Sequence, residues 1–490
     1  MDFLDPVKKR AHIRRLYIGY FLVGIAILMA STIVALISYG YDLDRKTGEV
    51  IKNGLIFADT QPESAEILVN GKSNGTTDKR LTLPEGTYTV SFKRDGYRLW
   101  SKTLSLDGSS VERLTYARLF PSKLEQADSA VFTGAPGFST QSPDRRWIMI
   151  AQASSVTNFQ IFDTANPTKA PVVFDIPASL MTEPTASPQK LEPVEWSSDN
   201  RHVLVEHIYG TSHEFIMFDR QDPAASVNIS KQLNIGQAKV VLRDKKPDLL
   251  YVHDEATKVL SRANIKTKEI TTLLSNVTAF KPYQADIVLY ARETPAKPET
   301  TEVRVWNDGK DYAVRSFNKT AVLLDLAQFD SNWYLAVVPV AEGRLQIFKN
   351  PFEAKNLKVS QNPYVALRIA SPAFVSFSAN TRFVAVQSEN KLVVYDFETS
   401  RRAGFTLPGQ VTADNKIRWM DGHRLIVNHD NKLVVVDYDG SNRQELTAML
   451  PGTLPFFDRD YERLYTLSPS TTDATKPALI RTSLKLKQKP

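Results

Sequence analysis

His213-Glu214 opens like the helix of a zinc protease, where a second histidine three residues after the glutamate puts both imidazoles on one metal. Met217 stands at that position, and Phe215-Ile216-Met217-Phe218 reads as a strand. The seven histidines (His12, His202, His207, His213, His253, His423, His429) cluster nowhere at ligand spacing. His202, His207 and His213 are therefore expected to hydrogen-bond on adjacent strands. Gly71-Lys72-Ser73 ends like a phosphate loop, but Glu66 occupies the place of its first glycine and no helical pattern follows. It reads as a hairpin turn. Gly210-Thr211-Ser212 and Gly137-Phe138-Ser139 lack the closing glycine of a nucleophile elbow. Asp437, Asp439 and Ser441 alternate like calcium-loop ligands, yet the glycine due at the sixth position arrives at the fourth, as Gly440. With no cysteine in the chain, thiolate ligands, disulfides and a cysteine nucleophile are excluded. The expectation is binding without catalysis, with no catalytic residue, metal site or cofactor.

The elements that would carry such a surface start with Leu16 to Tyr39, a stretch without one formal charge. At about 1.5 Å per residue it can cross a hydrocarbon core of roughly 30 Å. Lys8, Lys9, Arg10, Arg14 and Arg15 precede it, and Asp42 and Asp44 follow. The positive-inside rule then keeps residues 1–15 in the cytoplasm and sends the bulk of the chain outward. A cleaved signal peptide would have a shorter apolar region ending at a small-x-small site. This stretch leaves through Ile37-Ser38-Tyr39-Gly40-Tyr41 and reads as an uncleaved signal anchor.

Net charge is +7, but it is local. The first fifteen residues and the last ten carry all of the excess, and the basic and acidic residues between them balance. A phosphate-binding face is therefore not expected, and nucleic acid is excluded as a partner.

After a polar spacer at 40–53, the segment 54–119 reads as hairpins of a small all-β sandwich. Asn70-Gly71 is a two-residue turn, Tyr88-Thr89-Val90-Ser91-Phe92 alternates along a strand, and Asp95-Gly96 turns the chain again. Asn70-Gly71, Gly75-Thr76-Thr77, Pro84-Glu85-Gly86-Thr87 and Gly96-Tyr97 together resemble the PEGA domain. Thr87 departs from the alanine of the naming tetrapeptide, and a threonine suits a strand start. The resemblance implies a β-sandwich of bacterial or archaeal surface proteins, often beside a membrane anchor, with no catalysis.

A linker is expected at 120–137, followed by repeats over 138–486 and a basic tail at 487–490. Apolar strands end alike at Phe162-Asp163, Phe218-Asp219, Ala263-Asn264, Trp306-Asn307, Phe348-Lys349, Tyr395-Asp396, Val436-Asp437 and Ile480-Arg481, mostly 41 to 47 residues apart. That period, with several short strands per unit, predicts a β-propeller of seven or eight blades, eight being preferred. The longest spacing, between Phe162 and Phe218, holds six prolines and reads as an excursion from a blade edge. Ser142-Pro143-Asp144 and the run from Val436 to Thr447 resemble repeats of the TolB-type, WD-like propellers, which implies fold more than activity. Asp163, Asp219, Asp396 and Asp437 hold equivalent places and are expected to cap turns. Trp147, Trp196, Trp306, Trp333 and Trp419 are expected to wedge blades together.

The whole reads as an all-β ectodomain behind one transmembrane helix. The expected role is binding or scaffolding at the cell envelope, with an envelope protein or polysaccharide as partner. Two other readings remain: a propeller enzyme acting on envelope glycans or esters, and a TolB-like component of an envelope complex.

Overall fold

The computed structural model describes residues 6–43, 50–152, 155–183, 188–353, 360–407 and 416–486, in two compact units, Met1–Lys123 and Leu124–Pro490. The expected tail at 487–490 lies outside the described residues.

In the first unit, helix α1 (Pro6–Ser38) takes in all of the apolar stretch but its last residue, Tyr39, together with the basic residues before it. The expected boundary at residue 15 is thus not a break in secondary structure, because no proline or glycine interrupts residues 7–18. From His12 to Ser38 the helix is long and apolar enough to cross a membrane, by length and composition. None of that window is buried within the protein.

Eight strands follow: β1 (Tyr41–Leu43), β2 (Val50–Gln61), β3 (Glu66–Val69), β4 (Lys72–Thr76), β5 (Lys79–Pro84), β6 (Gly86–Lys93), β7 (Trp100–Leu106) and β8 (Val111–Arg118). They form two sheets, one of β1, β2, β5 and β8 and the other ordered β4-β3-β6-β7. Alternation along β2 turns Ile56, Ala58 and Thr60 inward. Across the sandwich they meet a core that includes Ile67, Phe92, Trp100 and Leu106, with Phe92 and Trp100 stacked at 5.1 Å. The spacer expected at 40–53 is partly strand, because Tyr41–Leu43 pairs with the start of β2 and so joins the sheet. Asn70 and Gly71 both have positive φ between the paired Val69 and Lys72, the geometry that twists a two-residue hairpin correctly.

The second unit holds eight four-stranded antiparallel sheets among its described residues. We label them S1 (136–175), S2 (189–228), S3 (239–274), S4 (277–318), S5 (322–368), S6 (374–406), S7 (418–448) and S8 (456–483). S8 takes its fourth strand, β9 (Gln126–Val131), from the start of the unit. The expected linker at 120–137 therefore contains a strand that completes the last sheet. No residue of β9 is buried, so it lacks the apolar alternation that would mark it in the sequence.

Apolar clusters join neighbouring sheets. Phe159 of S1 packs with Phe218 of S2, Leu204 of S2 with Leu250 of S3, and Tyr251 of S3 with Tyr290 of S4. Leu289 of S4 shares a cluster with Leu335 of S5, Ala336 of S5 with Val384 of S6, and Phe383 of S6 with Leu425 of S7. Ser468 of S8 donates to the carbonyl of Ala448 in S7 at 2.6 Å. Phe456 and Leu479 of S8 pack with Ile148 and Phe162 of S1, and Gln141 of S1 donates to the Phe457 carbonyl of S8 at 2.9 Å. Last sheet thus meets first, the arrangement of a propeller, which leaves few strand edges unprotected. First strands are also tied directly. The Asp325 carboxylate of S5 accepts from Lys281 of S4 at 2.7 Å and from the Phe377 N–H of S6 at 2.8 Å.

Candidate binding surface

Sheets of antiparallel strands place the loop after strand one and the end of strand three on the same face. On that face Ser142 accepts the Trp147 N–H at 2.9 Å, and Ser378 accepts the Phe383 N–H at 3.0 Å. Each hydroxyl closes the loop that begins the second strand. The arginine just before that strand then reaches the aspartate ending strand three. Arg146 donates to Asp163 at 3.0 Å through two nitrogens, and Arg201 and Arg382 make the same forked contact with Asp219 and Asp396. Arg424 lies 3.7 Å from Asp437.

The aspartates also hold their own turns. Asp163 accepts the Ala165 N–H at 3.0 Å, Asp219 that of Gln221 at 3.0 Å, and Asp396 that of Glu398 at 2.9 Å. Asp437 accepts from the Asn442 side chain at 2.9 Å. Burial alone would raise the carboxyl pKa of Asp163 and Asp219; hydrogen bonds led by Arg146 and Arg201 hold both below the usual range. Burial disfavours the charge of Arg382, yet Asp396 and Glu398 keep its pKa above the ordinary value. The arginine partners were not singled out from the sequence, although Arg-x₁₂₋₁₇-Asp recurs at corresponding strand positions.

The three histidines of S2 go to separate partners. His202 meets Asp199 at 2.6 Å, and His213 meets Glu206 at 2.5 Å. His207 is fully buried, with Nδ1 3.0 Å from Glu214 and Nε2 3.1 Å from the side-chain amide oxygen of Gln189. Glu214 also accepts from the Thr182 N–H at 2.8 Å, from the Thr182 hydroxyl, and from Asn228 at 2.7 Å. The proline-rich excursion thus docks on S2 through Thr182. No group of three metal-ligating side chains occurs among the described residues.

Burial raises the Glu214 carboxyl pKa, but the donors, His207 first, outweigh it and bring it down to about 2 from 4.5. A carboxylate depressed in the folded state stabilises above its unfolded pKa, and that stability is lost as pH falls from about 4.5 towards 2. The loss amounts to about 3 kcal/mol at 1.36 kcal/mol per unit. Urea unfolding of the wild type and Glu214→Gln between about pH 5 and about pH 2 checks this. The advantage of the wild type should shrink by that amount, and a constant difference would refute the assignment.

Arginines also cover aromatic rings on this face. Arg146 and Arg220 lie 4.6 and 4.1 Å from the Trp147 ring centroid, Arg145 4.1 Å from Tyr461, and Arg262 4.4 Å from Trp306. The expected wedges differ in detail. Trp196 donates to Thr140 of S1 at 2.9 Å, Trp333 packs edge-on against Phe352 and Tyr283, and Trp419 stacks at 6.1 Å on Phe383 of S6.

In the first unit, Pro84 ends β5 and Gly86 begins β6, so Pro84-Glu85-Gly86 is the corner by which the chain passes from one sheet to the other. The Tyr88 hydroxyl donates to the Pro84 carbonyl at 2.9 Å, and the Glu85 N–H to the Lys52 carbonyl at 2.9 Å. Thr87 pairs with Ser105 in β7. Gly96, at φ +80°, makes the turn before Tyr97, which bridges to Pro121. Lys9, Arg10, Arg14 and Arg15 are exposed at the N-terminal end of α1, on which Lys8 also lies.

Residues 53–118 match the PEGA domain family. No curated protein matches the chain. Among solved structures, the Dos1 propeller aligns at 13% identity and a TM-score of 0.46, over 74% of this chain and 95% of that one. Hsv2 of Kluyveromyces lactis aligns at 11% identity and 0.40, over 65% and 98%. An oligogalacturonate lyase in complex with manganese aligns at 10% and 0.37, over 74% and 98%. Likenesses at this level transfer no activity. The segment 53–118 is thus similar in sequence to the PEGA domain, and it folds as two sheets.

Proposed function

We propose that this chain is a single-pass, membrane-anchored extracytoplasmic binding or scaffolding protein of the cell envelope, and that it does no catalysis. The observation that carries the reading is the order of parts in one chain: an apolar helix with basic residues at its start, a PEGA domain, then a ring of sheets. Basic residues at the start of α1 keep the N-terminus in the cytoplasm and place the rest outside. Eight sheets, each joined to the next and the last to the first, support eight blades over seven. The face with arginine-backed aromatics is the one a protein or polysaccharide partner of the envelope would meet, since its rings and guanidiniums are fixed in advance.

Two measurements test this. Membranes carrying the full-length protein are extracted with alkaline carbonate and its N-terminus is mapped. Retention with Met1 or Asp2 at the start is expected, and a mature chain beginning after Ser38 would overturn the anchor. The same purified protein is then assayed for binding to, and turnover of, envelope glycans, esters and peptides. Binding reduced by Arg220→Glu is expected, and turnover abolished by a single substitution in a folded variant would sink the reading.

A further inference from the structure

Ionic groups in the first strands of the sheets are paired across the ring, as in Lys281 with Asp325, and Glu195 with Lys245 of the next sheet. The first strand of S7 breaks this habit. Ile417 is buried in the cluster shared with S6, and its N–H goes to Gln387 of S6 at 2.9 Å. Alternation therefore turns Lys416 and Arg418 to the opposite side, towards S8. There they line a cavity of about 80 Å³ with Asn428, Thr453 and Leu454, where the chain passes from S7 into S8. Among the described residues, no Asp or Glu lines it. Neither cation has a hydrogen bond or ion pair among the described residues.

Lys416 and Arg418 are both exposed, so neither charge is fully desolvated. Solvent reaches Arg418, yet the cleft walls desolvate it enough to lower its pKa. Thr453 and Asn428 both donate to the Leu450 carbonyl, at 2.7 and 3.3 Å, and neither bonds to Lys416 or Arg418. The space is several times what one water needs, and of the size of a small oxyanion rather than a sugar ring. A planar forked donor beside a compact ammonium suits such a group.

We propose that Lys416 and Arg418 form a binding site for an oxyanion group (carboxylate, sulfate or phosphate) in the cleft between S7 and S8. The site stands independently of the membrane-anchored reading. Bound there, the anion would supply the counter-charge that the neighbouring strands receive from within the ring. Because the cleft lies between two sheets, occupancy would also strengthen that boundary.

The test titrates the full-length protein in detergent with acetate, sulfate and phosphate separately, at constant ionic strength set by chloride. Calorimetry and the fluorescence of Trp419, one residue from Arg418, are the readouts. Saturable binding of at least one oxyanion is expected, and the three arms tell which. Arg418→Gln should weaken it by about tenfold or more, the loss of a charge-assisted contact. Arg418→Lys should fall between the wild type and Arg418→Gln, and the double variant Lys416→Gln/Arg418→Gln should not bind. In anion-free buffer these variants should unfold at the same urea concentration as the wild type or a higher one, because an unpaired charge has been removed. No saturable binding of any of the three anions to the wild type would overturn the proposal. So would equal binding by Arg418→Lys and the double variant, or a variant destabilised without anion.

Discussion

Asp396→Ala lowers the stability of the 124–490 unit by roughly 3–5 kcal/mol, the cost of leaving one member of a buried ion pair without its partner. The side chains of Arg382 and Asp396 are only 14% and 5% exposed, and the carboxylate takes the guanidinium at 2.9 and 2.6 Å. It also accepts from the Glu398 N–H and the Thr399 hydroxyl, both at 2.9 Å, so alanine orphans donors as well as a charge. Glu398 also touches Arg382 and retains part of the pairing, which places the expected loss towards the lower end of that range. Arg146–Asp163 serves as the internal comparison. Its arginine is 47% exposed, water solvates the guanidinium when the partner is removed, and Asp163→Ala should cost clearly less. Urea unfolding followed by circular dichroism, resolving the transition of this unit from that of the sandwich, makes the measurement. A loss at Asp396 no larger than that at Asp163 would show that burial does not govern these pairs.

Phe159→Ala has an effect of the same size for a different reason. The ring has no exposed surface and packs against Phe138, Phe174 and Phe218 at 5.6, 5.8 and 5.3 Å between centroids. Two of those partners belong to S1 and one to S2, so the void would open at a boundary between sheets. Truncating a buried phenylalanine costs about 3–5 kcal/mol, the transfer term plus the cavity that neighbours cannot fill. Collapse is limited here because both walls are sheets whose backbones are fixed by their own ladders. Phe159→Leu keeps most of the volume and should cost markedly less. The same unfolding measurement checks both variants. A loss below about 1 kcal/mol for alanine would mean that S1 and S2 can close over the gap.

Several features were legible because their signals are local. The membrane-length helix needs only a run of uncharged residues, and the PEGA turns need only glycine, asparagine and proline at fixed offsets. The repeat was legible because seven of the third strands close on an apolar residue and a polar one. Seven of the eight pairs are the last two residues of a third strand, and Ile480-Arg481 falls two short of Ser483. The candidate surface was less so: the four aspartates stood out as a repeated position, whereas their arginines did not. Arginine is common on any polar loop, and nothing in its type says which carboxylate it reaches.

The sequence by itself determined the all-β class of the chain beyond its apolar helix, its order of parts and the period of its sheets, because side-chain alternation and turn chemistry act over a few residues. Tertiary structure alone decided that β9 completes S8, a pairing of Ala130 with Leu479 carried by backbone groups that every residue has. It also decided that Glu214 is held by Thr182 from the excursion, and that Lys416 and Arg418 line one cleft with Asn428 and Thr453. Contacts of that kind join residues far apart in the chain. Their energy depends on burial and on which partners arrive, and neither is written in the spacing of the residues themselves.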